Sequence, residues 1–407
     1  MTRKALEAES STGAAGTILA CPACGAGDVA VFHEHRSIPV HSCRLVDTRE
    51  EAESFPRGDL RLAVCHACGF ITNVSYDPSL QSYFVSYEET QGFSPRFRAF
   101  MTELAERWLD RYELRGKDVL EIGSGKGEFL LTMCELGARH GVGIDPAIVP
   151  ERVSGPAASR VEFIQDLYGP DYAHLTGDAV ICRHTLEHIH PVADFMRIIR
   201  GSLEGRPDTV VLFELPDALR VLTECAFWDI YYEHCSYFTP GSLARLFRAT
   251  GFEVLDVELD YDDQYILVEA RPSNGGESAP LAIEEEPSEV ADAVAAFVDE
   301  LAGIEKRWRD ELRATRADGG RAVVWGSGSK GVSFLTTLGI RDEVSHVVDI
   351  NPYKHGKFMA GTGHEIVPPA ALQEIRPDLV VAMNPIYLEE IQRDLDDLGL
   401  DAPLEAG

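Results

Sequence analysis

Apolar positions along the chain fall into two rhythms. A helical rhythm runs over 95–114. From 118 onward short apolar runs take over, at 119–122, 141–144, 161–164, 179–182 and 209–214, with helical stretches such as 127–136 between several of them. That alternation predicts strands in a parallel, doubly wound sheet. Two later runs, 253–259 and 265–270, have no helix between them and read as an antiparallel hairpin closing the unit. Residues 272–288 are rich in Pro, Ser, Gly and acids, the composition of a linker. A long helix is predicted over 289–316, and a second α/β pattern starts at 321, with strands over 344–349 and 379–383. Upstream, 1–18 are small and polar, as expected of a disordered start. Cysteines mark 21–80, and aromatics crowd 83–87. The expected division is 19–82, 83–272 and 285–407, and no short repeat connects the parts.

The length of 407 residues fits two or three domains. No apolar run approaches the roughly 18 residues a membrane helix needs, and Arg3 and Lys4 have no apolar signal core behind them. A cytoplasmic location is expected. With 67 acids against 37 bases the formal net charge is −30. A nucleic-acid partner or an anionic membrane surface is excluded on that ground, since both need a basic face. Any phosphate on a substrate would need a local basic pocket.

Four of the nine cysteines form two CxxC turns, Cys21/Cys24 and Cys65/Cys68. Two such turns supply the four thiolates of a tetrahedral zinc site, and four thiolates leave no open position, so the expected role is structural. The gap between the turns must hold an inserted strand or loop. Cys43, His33, His35 and His41 in that gap are read as bystanders to the metal. The remaining cysteines, without a secretion signal, do not read as a disulfide framework.

The loop Glu121-Ile-Gly123-Ser-Gly125-Lys-Gly127 sits where a strand turns into a helix, so its amides can approach a bound molecule. Asp145 ends the next strand, where a carboxylate can accept both hydroxyls of a ribose. This spacing suits a dinucleotide or S-adenosylmethionine. The E-x-G-x-G-x-G order resembles motif I of class I methyltransferases, not the G-x-G-x-x-G of a dinucleotide site, and the closing hairpin resembles their sheet. That resemblance implies a methyl-donor site bordered by Arg183-His-Thr-Leu-Glu187-His188 after the fourth strand, with Asp166 where the family contacts adenine.

The densest cluster is Phe227 to Phe238, with Tyr231-Tyr232-Glu233-His234-Cys235-Ser236-Tyr237-Phe238 at its heart. Aromatic walls exclude water and hold flat or sugar-like molecules, and a His there can act as a general base near neutral pH. On residues alone, an aromatic core segment explains it equally well. The whole chain, however, resembles the sugar C-methyltransferases of antibiotic deoxysugar pathways, whose order is a zinc-binding head, a class I methyl-donor domain and a C-terminal Rossmann-like domain. Their signature Tyr-His-Glu-His-x-Ser-Tyr-Phe is matched at 231–238. The resemblance implies that Tyr231, Glu233 and His234 fall on the active-site Tyr, Glu and base His, and that the acceptor is a nucleotide-linked keto-deoxysugar or a related metabolite.

Two departures stand out. Tyr232 replaces the first signature His, and Tyr261-Asp262-Asp263-Gln264 stands where the family has a Gly-Gly-Ser run near the sugar. Farther on, Gly326-Ser-Gly328-Ser-Lys330-Gly331 is a G-x-G-x-x-G after a strand, with Asp349 beyond it. Read alone it suggests NAD(P) and an oxidoreductase. The resemblance implies a fold that helps hold substrate, where Lys330, Lys354 and Lys357 could grip a phosphate. Within methyl transfer, the alternative to carbon is O-methylation, with Asp262 or His188 as base.

Overall fold

The computed structural model describes residues 20–81, 86–273, 275 and 278–407. The expected disordered start, aromatics 83–85 and part of the linker lie outside them. The head opens with β1 (Val29–Pro39), passes through α1 (Arg49–Glu53) and returns as β2 (Arg57–Cys65) and β3 (Ile71–Asn73), all antiparallel. The gap between the CxxC turns is therefore a long strand, a short helix and most of a second strand. Each CxxCG turn closes the same way: Gly25 N–H donates to the Cys21 carbonyl and Gly69 N–H to that of Cys65, both at 2.8 Å. Both glycines are left-handed, where a side chain is disfavoured.

The predicted helix at 95–114 is α2 (Pro95–Arg111). Ser94 caps it by accepting from Phe97 N–H, Pro95 takes the first turn, and the buried face carries Phe97, Phe100, Met101, Leu104 and Trp108. It ends three residues early because the chain bends at Glu113, which adopts φ 52°.

The doubly wound unit follows: β4 (Asp118–Ile122), α3 (Glu128–Leu136), β5 (His140–Ile144), β6 (Val161–Ile164), β7 (Ala179–Arg183), α4 (Val192–Ser202), β8 (Val210–Pro216) and α5 (Ala218–Thr223). After β9 (Ser236–Tyr237) come α6 (Pro240–Ala249) and the hairpin β10 (Phe252–Asp260) and β11 (Tyr265–Pro272). The strand order is β6-β5-β4-β7-β8-β11-β10, with β11 antiparallel to both neighbours. The order reverses at β4, between β5 and β7, so a crevice opens beyond the carboxyl ends of β4 and β7. β9 does not join this sheet. It pairs with β3, Ile71 opposite Tyr237 and Thr72 opposite Ser236, as the last strand of the head sheet.

The third unit begins with α7 (Pro287–Ala317) and continues through β12 (Ala322–Trp325), α8 (Ser329–Leu338), β13 (Val344–Val348), β14 (Ile366–Val367), α9 (Leu372–Ile375), β15 (Leu379–Ala382), α10 (Leu388–Asp397) and β16 (Leu404–Ala406). Its sheet is wholly parallel, ordered β14-β13-β12-β15-β16. The buried stripe of α7 (Val290, Val294, Phe297) shares a core with Leu60 and Val64 of the head and Val221 and Leu222 of α5. On α8, Phe334 stacks on Phe227 with ring centroids 5.9 Å apart.

Tyr232, the departure from the signature, is structural. It is buried, its hydroxyl accepts from Asp77 N–H at 2.9 Å, and its ring lies over Gly58. A Cβ at Gly58 would stand 2.4 Å from Tyr232 Cε2. Gly58→Ala is therefore expected to cost about 1–3 kcal/mol of stability through overpacking. Thermal denaturation checks this, and an unchanged midpoint would mean the ring can step aside.

Candidate active site

The crevice is built from the glycine turn between β4 and α3. Gly123 and Gly125 are both left-handed, at φ 70° and 53°. A Cβ on Gly123 would sit 1.8 Å from Thr185 Oγ1, so only glycine fits. Asp145, at the end of β5, braces the turn: Oδ2 accepts from Gly125 N–H at 2.8 Å and Oδ1 from Ala147 N–H at 2.6 Å. Glu121 is buried behind the turn, and burial pushes its carboxyl up to about 8. Glu121 Oε2 and Ser124 Oγ are buried without a hydrogen-bond partner. Such orphaned polar atoms beside a glycine cradle are what a polar cofactor would satisfy, so these residues fit S-adenosylmethionine. Asp166 stands exposed beyond β6, its Oδ2 accepting from the Tyr172 hydroxyl at 2.6 Å.

Two residues here were not singled out from the sequence. Lys126 donates to the carbonyls of Tyr87 (2.6 Å) and Ala147 (2.8 Å). Glu89 lies 3.5 Å from Lys126 Nζ, and its Oε1 is 2.8 Å from where a Gly125 Cβ would stand. Burial raises Glu89 to about 7. Residues 86–94 thus form a strap across the glycine turn. A Lys inside that turn and the Glu88-Glu89 pair behind the aromatic run were the available signals.

Arg183 is committed elsewhere. Its guanidinium makes two bonds to Glu214, at 2.7 and 3.0 Å, and lies 4.1 Å over the Phe129 ring. His184, forced to φ 47°, places Nε2 2.7 Å from the same carboxylate. Burial opposes charge on all three, yet Arg183 and His184 hold Glu214 down to about 2, and Glu214 with Glu187 lifts His184 to about 9. This ion triad holds the end of β7 to β8.

The segment 231–238 faces the crevice from the other side. Tyr231 Oη is 3.0 Å from His234 Nε2. Burial, then His188 and His184, push His234 well below its ordinary value, so at neutral pH it is an uncharged base. The carboxylate facing it is Glu187, with Oε1 4.0 Å from Nε2. Glu233 points the opposite way, into the head: it accepts from Ser42 N–H at 2.8 Å and the Ser42 hydroxyl, and meets His41 Nδ1 at 2.9 Å. The Ser42 hydroxyl oxygen, its proton given to Glu233, also lies 2.7 Å from Ser329 Oγ at the start of α8 and accepts from it. His41, read as a bystander, is thus a partner of the signature Glu. Glu233 lies in a turn ahead of β9, and it and its neighbour His234 reach different partners.

Around the C-terminal glycine loop, Asp349 is satisfied internally, accepting from Ser327 N–H at 3.0 Å, Asn351 N–H at 2.8 Å and Lys354 Nζ at 3.4 Å. Beyond the two backbone bonds that Asp145 also makes, Asp349 takes the Ser327 hydroxyl and pairs with Lys354, so the carboxylate a dinucleotide ribose would use already has a cation. Lys330 is held by Asp229 (3.1 Å) and Gln264 (3.2 Å), and Lys357 by Asp47. The expected phosphate grip therefore does not form, because each lysine is neutralised by a neighbouring acid. At the hairpin tip, Asp262 and Asp263 are exposed in left-handed conformations, while Tyr261 packs on Phe100 and Gln264 turns inward in a reciprocal amide pair with Asn384 at 2.9 Å each way.

In the head, the sulfurs of Cys21, Cys24, Cys65 and Cys68 lie within 4.8 Å of one another. Cys21–Cys68 and Cys24–Cys65 are separated by 3.8 and 3.7 Å. Zinc at about 2.3 Å from each thiolate requires tetrahedral edges of about 3.8 Å, so the donor set and spacing fit that ion. Among the described residues no helix is long and apolar enough to cross a membrane.

The chain is similar to known proteins over most of its length. Residues 96–257 match the family described as methyltransferase domain, and 278–399 the family described as C-methyltransferase C-terminal domain. The chain is 26% identical over 391 residues to the C-methyltransferase NovU of Streptomyces niveus, covering 91% of this chain and 90% of that protein. Among solved structures, 1,6-didemethyltoxoflavin-N1-methyltransferase of Burkholderia thailandensis with bound S-adenosylhomocysteine is 21% identical, covering 45% of this chain and 83% of its own, with a TM-score of 0.35. The PH0226 protein of Pyrococcus horikoshii is 19% identical, covering 46% and 95%, with a TM-score of 0.36.

Two outcomes are expected. Cys68→Ser should lower zinc in the purified protein, read by atomic emission, by one equivalent, whereas unchanged zinc would place the metal elsewhere. Glu214→Gln should destabilise by about 3–5 kcal/mol, since it strands buried Arg183. Because Glu214 is depressed in the fold, its contribution is full above the unfolded carboxyl value of about 4.3 and is lost as pH falls toward 2. The stability gap between wild type and Glu214→Gln should therefore narrow over that acid window in thermal melts.

Proposed function

Because the chain belongs to the S-adenosylmethionine-dependent C-methyltransferases, we propose that His234 is the general base that prepares a carbon acid for methylation. The Tyr231–His234–Glu187 arrangement carries this reading. Bound S-adenosylmethionine supplies an electrophilic methyl group. His234 Nε2 takes the proton from the carbon beside a ketone, and Glu187 stabilises the resulting imidazolium. The Tyr231 hydroxyl, displaced from Nε2 by the acceptor, donates to the enolate oxygen. The enolate carbon then bonds to the methyl as the sulfur–methyl bond breaks. Glu233 acts at one remove, fixing the backbone of 231–234 through His41 and Ser42. The four-cysteine cluster holds a structural zinc, and Glu121, Gly123, Gly125, Gly127 and Asp145 form the donor cradle.

The proposed acceptor is a keto-deoxysugar carried on a nucleotide, the class implied by the resemblance. A keto compound without a diphosphate is the second reading, favoured by the pairing of Lys330, Lys354 and Lys357 with acids. A base of this kind contributes about 100- to 10,000-fold. His234→Asn is accordingly expected to cut turnover at least about 100-fold while calorimetry finds donor affinity unchanged. An acceptor deuterated beside the ketone should lose that deuterium on methylation by the wild type. Retained deuterium would point to oxygen as the methylated atom, and a fully active His234→Asn would remove His234 from the role.

A further inference from the structure

We propose that Glu187, His188 and His234 form a second divalent-metal site, suited to zinc, whose filling silences the base. One donor atom from each lies within 4.8 Å of the others, and Glu187 and His234 are buried. Two imidazoles and one carboxylate are a donor set that zinc accepts. Ligands of one zinc stand roughly 3.0–3.4 Å apart, so the 4.0 Å between Glu187 Oε1 and His234 Nε2 closes with a modest side-chain shift. Glu187 Oε2 is buried with no hydrogen-bond partner, a carboxylate oxygen in want of a proton or a cation.

The histidines are oriented for this. His188 Nδ1 lies 3.1 Å from the Glu233 carbonyl, which places the proton on Nδ1 and the lone pair on Nε2. Metal-bound histidines are typically fixed this way, by a carbonyl on the far nitrogen. The rings of His188 and His234 meet edge to face at 4.9 Å. Nearby Asp145 and Glu233 add a negative field that favours a dication. The opposing terms are the neighbouring His184, 3.7 Å from Glu187 Oε1, and the Tyr231 bond to Nε2 that the metal must displace.

The inhibitory consequence rests on the reading of His234 as base: its Nε2 lone pair can hold a metal or accept the substrate proton, not both. No covalent or redox change is involved. The site differs from the cysteine cluster in donors, and it keeps open coordination positions where the cluster keeps none.

Equilibrium dialysis of the full chain against micromolar zinc chloride, with bound metal read by atomic emission, tests the idea. Two equivalents per chain are expected for the wild type and one for each of Glu187→Gln and His188→Gln. Turnover of the wild type should fall as the second equivalent binds and return when a weak chelator removes it alone. A single equivalent in the wild type, or a second one surviving both substitutions, overturns the proposal. A second equivalent that leaves turnover untouched overturns the inhibition. If the wild type binds one equivalent while His234→Asn is inactive, the metal site falls and the base assignment stands.

Discussion

A buried carboxylate has to be satisfied from all sides, and in this molecule that requirement joins three pieces of chain. Glu233 takes the backbone and hydroxyl of Ser42 and meets His41, and Ser42 reaches on to Ser329 at the start of α8. The head, the methyl-donor unit and the C-terminal unit are thereby held at one point, next to the residues assigned to proton transfer. Removing a hydrogen-bond donor from a buried carboxylate of this kind typically costs about 1–3 kcal/mol or more, because the acceptor is left unsatisfied. The geometry of His234 depends on that anchor, since the backbone carrying Glu233 also carries the base and its carbonyl orients His188.

Much of this was legible in the residues. The glycine turn, the CxxC pairs and the strand rhythm rest on local constraints, such as left-handed backbone, thiolate chemistry and alternation of burial, and each is written in a few adjacent letters. The antiparallel hairpin was legible because no helix separates its strands. What stayed hidden was partner choice over long separations. Nothing near Arg183 announces Glu214, and nothing near Glu233 announces His41, which lies 192 positions away. The acid facing His234 is not the adjacent Glu233 but Glu187, 47 positions earlier. The glycines around 326 looked like a nucleotide loop because their G-x-G-x-x-G spacing after a strand is the same. Only the packing reveals that Asp349 has already been claimed by Ser327 and Lys354.

Charge is arranged more economically than a net value of −30 suggests. In the interior, acids come with cations or donors: Glu214 with Arg183 and His184, Asp229 with Arg220 and Lys330, Glu88 with Arg152 and Asn351. The exceptions sit at the crevice. Glu121 and Glu187 each keep an oxygen without a hydrogen-bond partner, and Glu89 carries a strongly raised carboxyl. A buried carboxylate oxygen without a partner is costly to stability, and Glu121 and Glu187 carry that cost beside the glycine turn, where a guest could relieve it.

The pairing of β9 with β3 has a consequence for how the chain is made. Thr72 and its partner Cys235 are 163 positions apart. At roughly 5–20 residues per second on the ribosome, the head waits on the order of ten to thirty seconds with the flank of β3 uncovered. An open strand flank is a template for wrong pairing. A nascent chain of this enzyme thus passes through a window in which its cysteine-bearing end stays open to wrong pairing until the remote strand emerges to seal it.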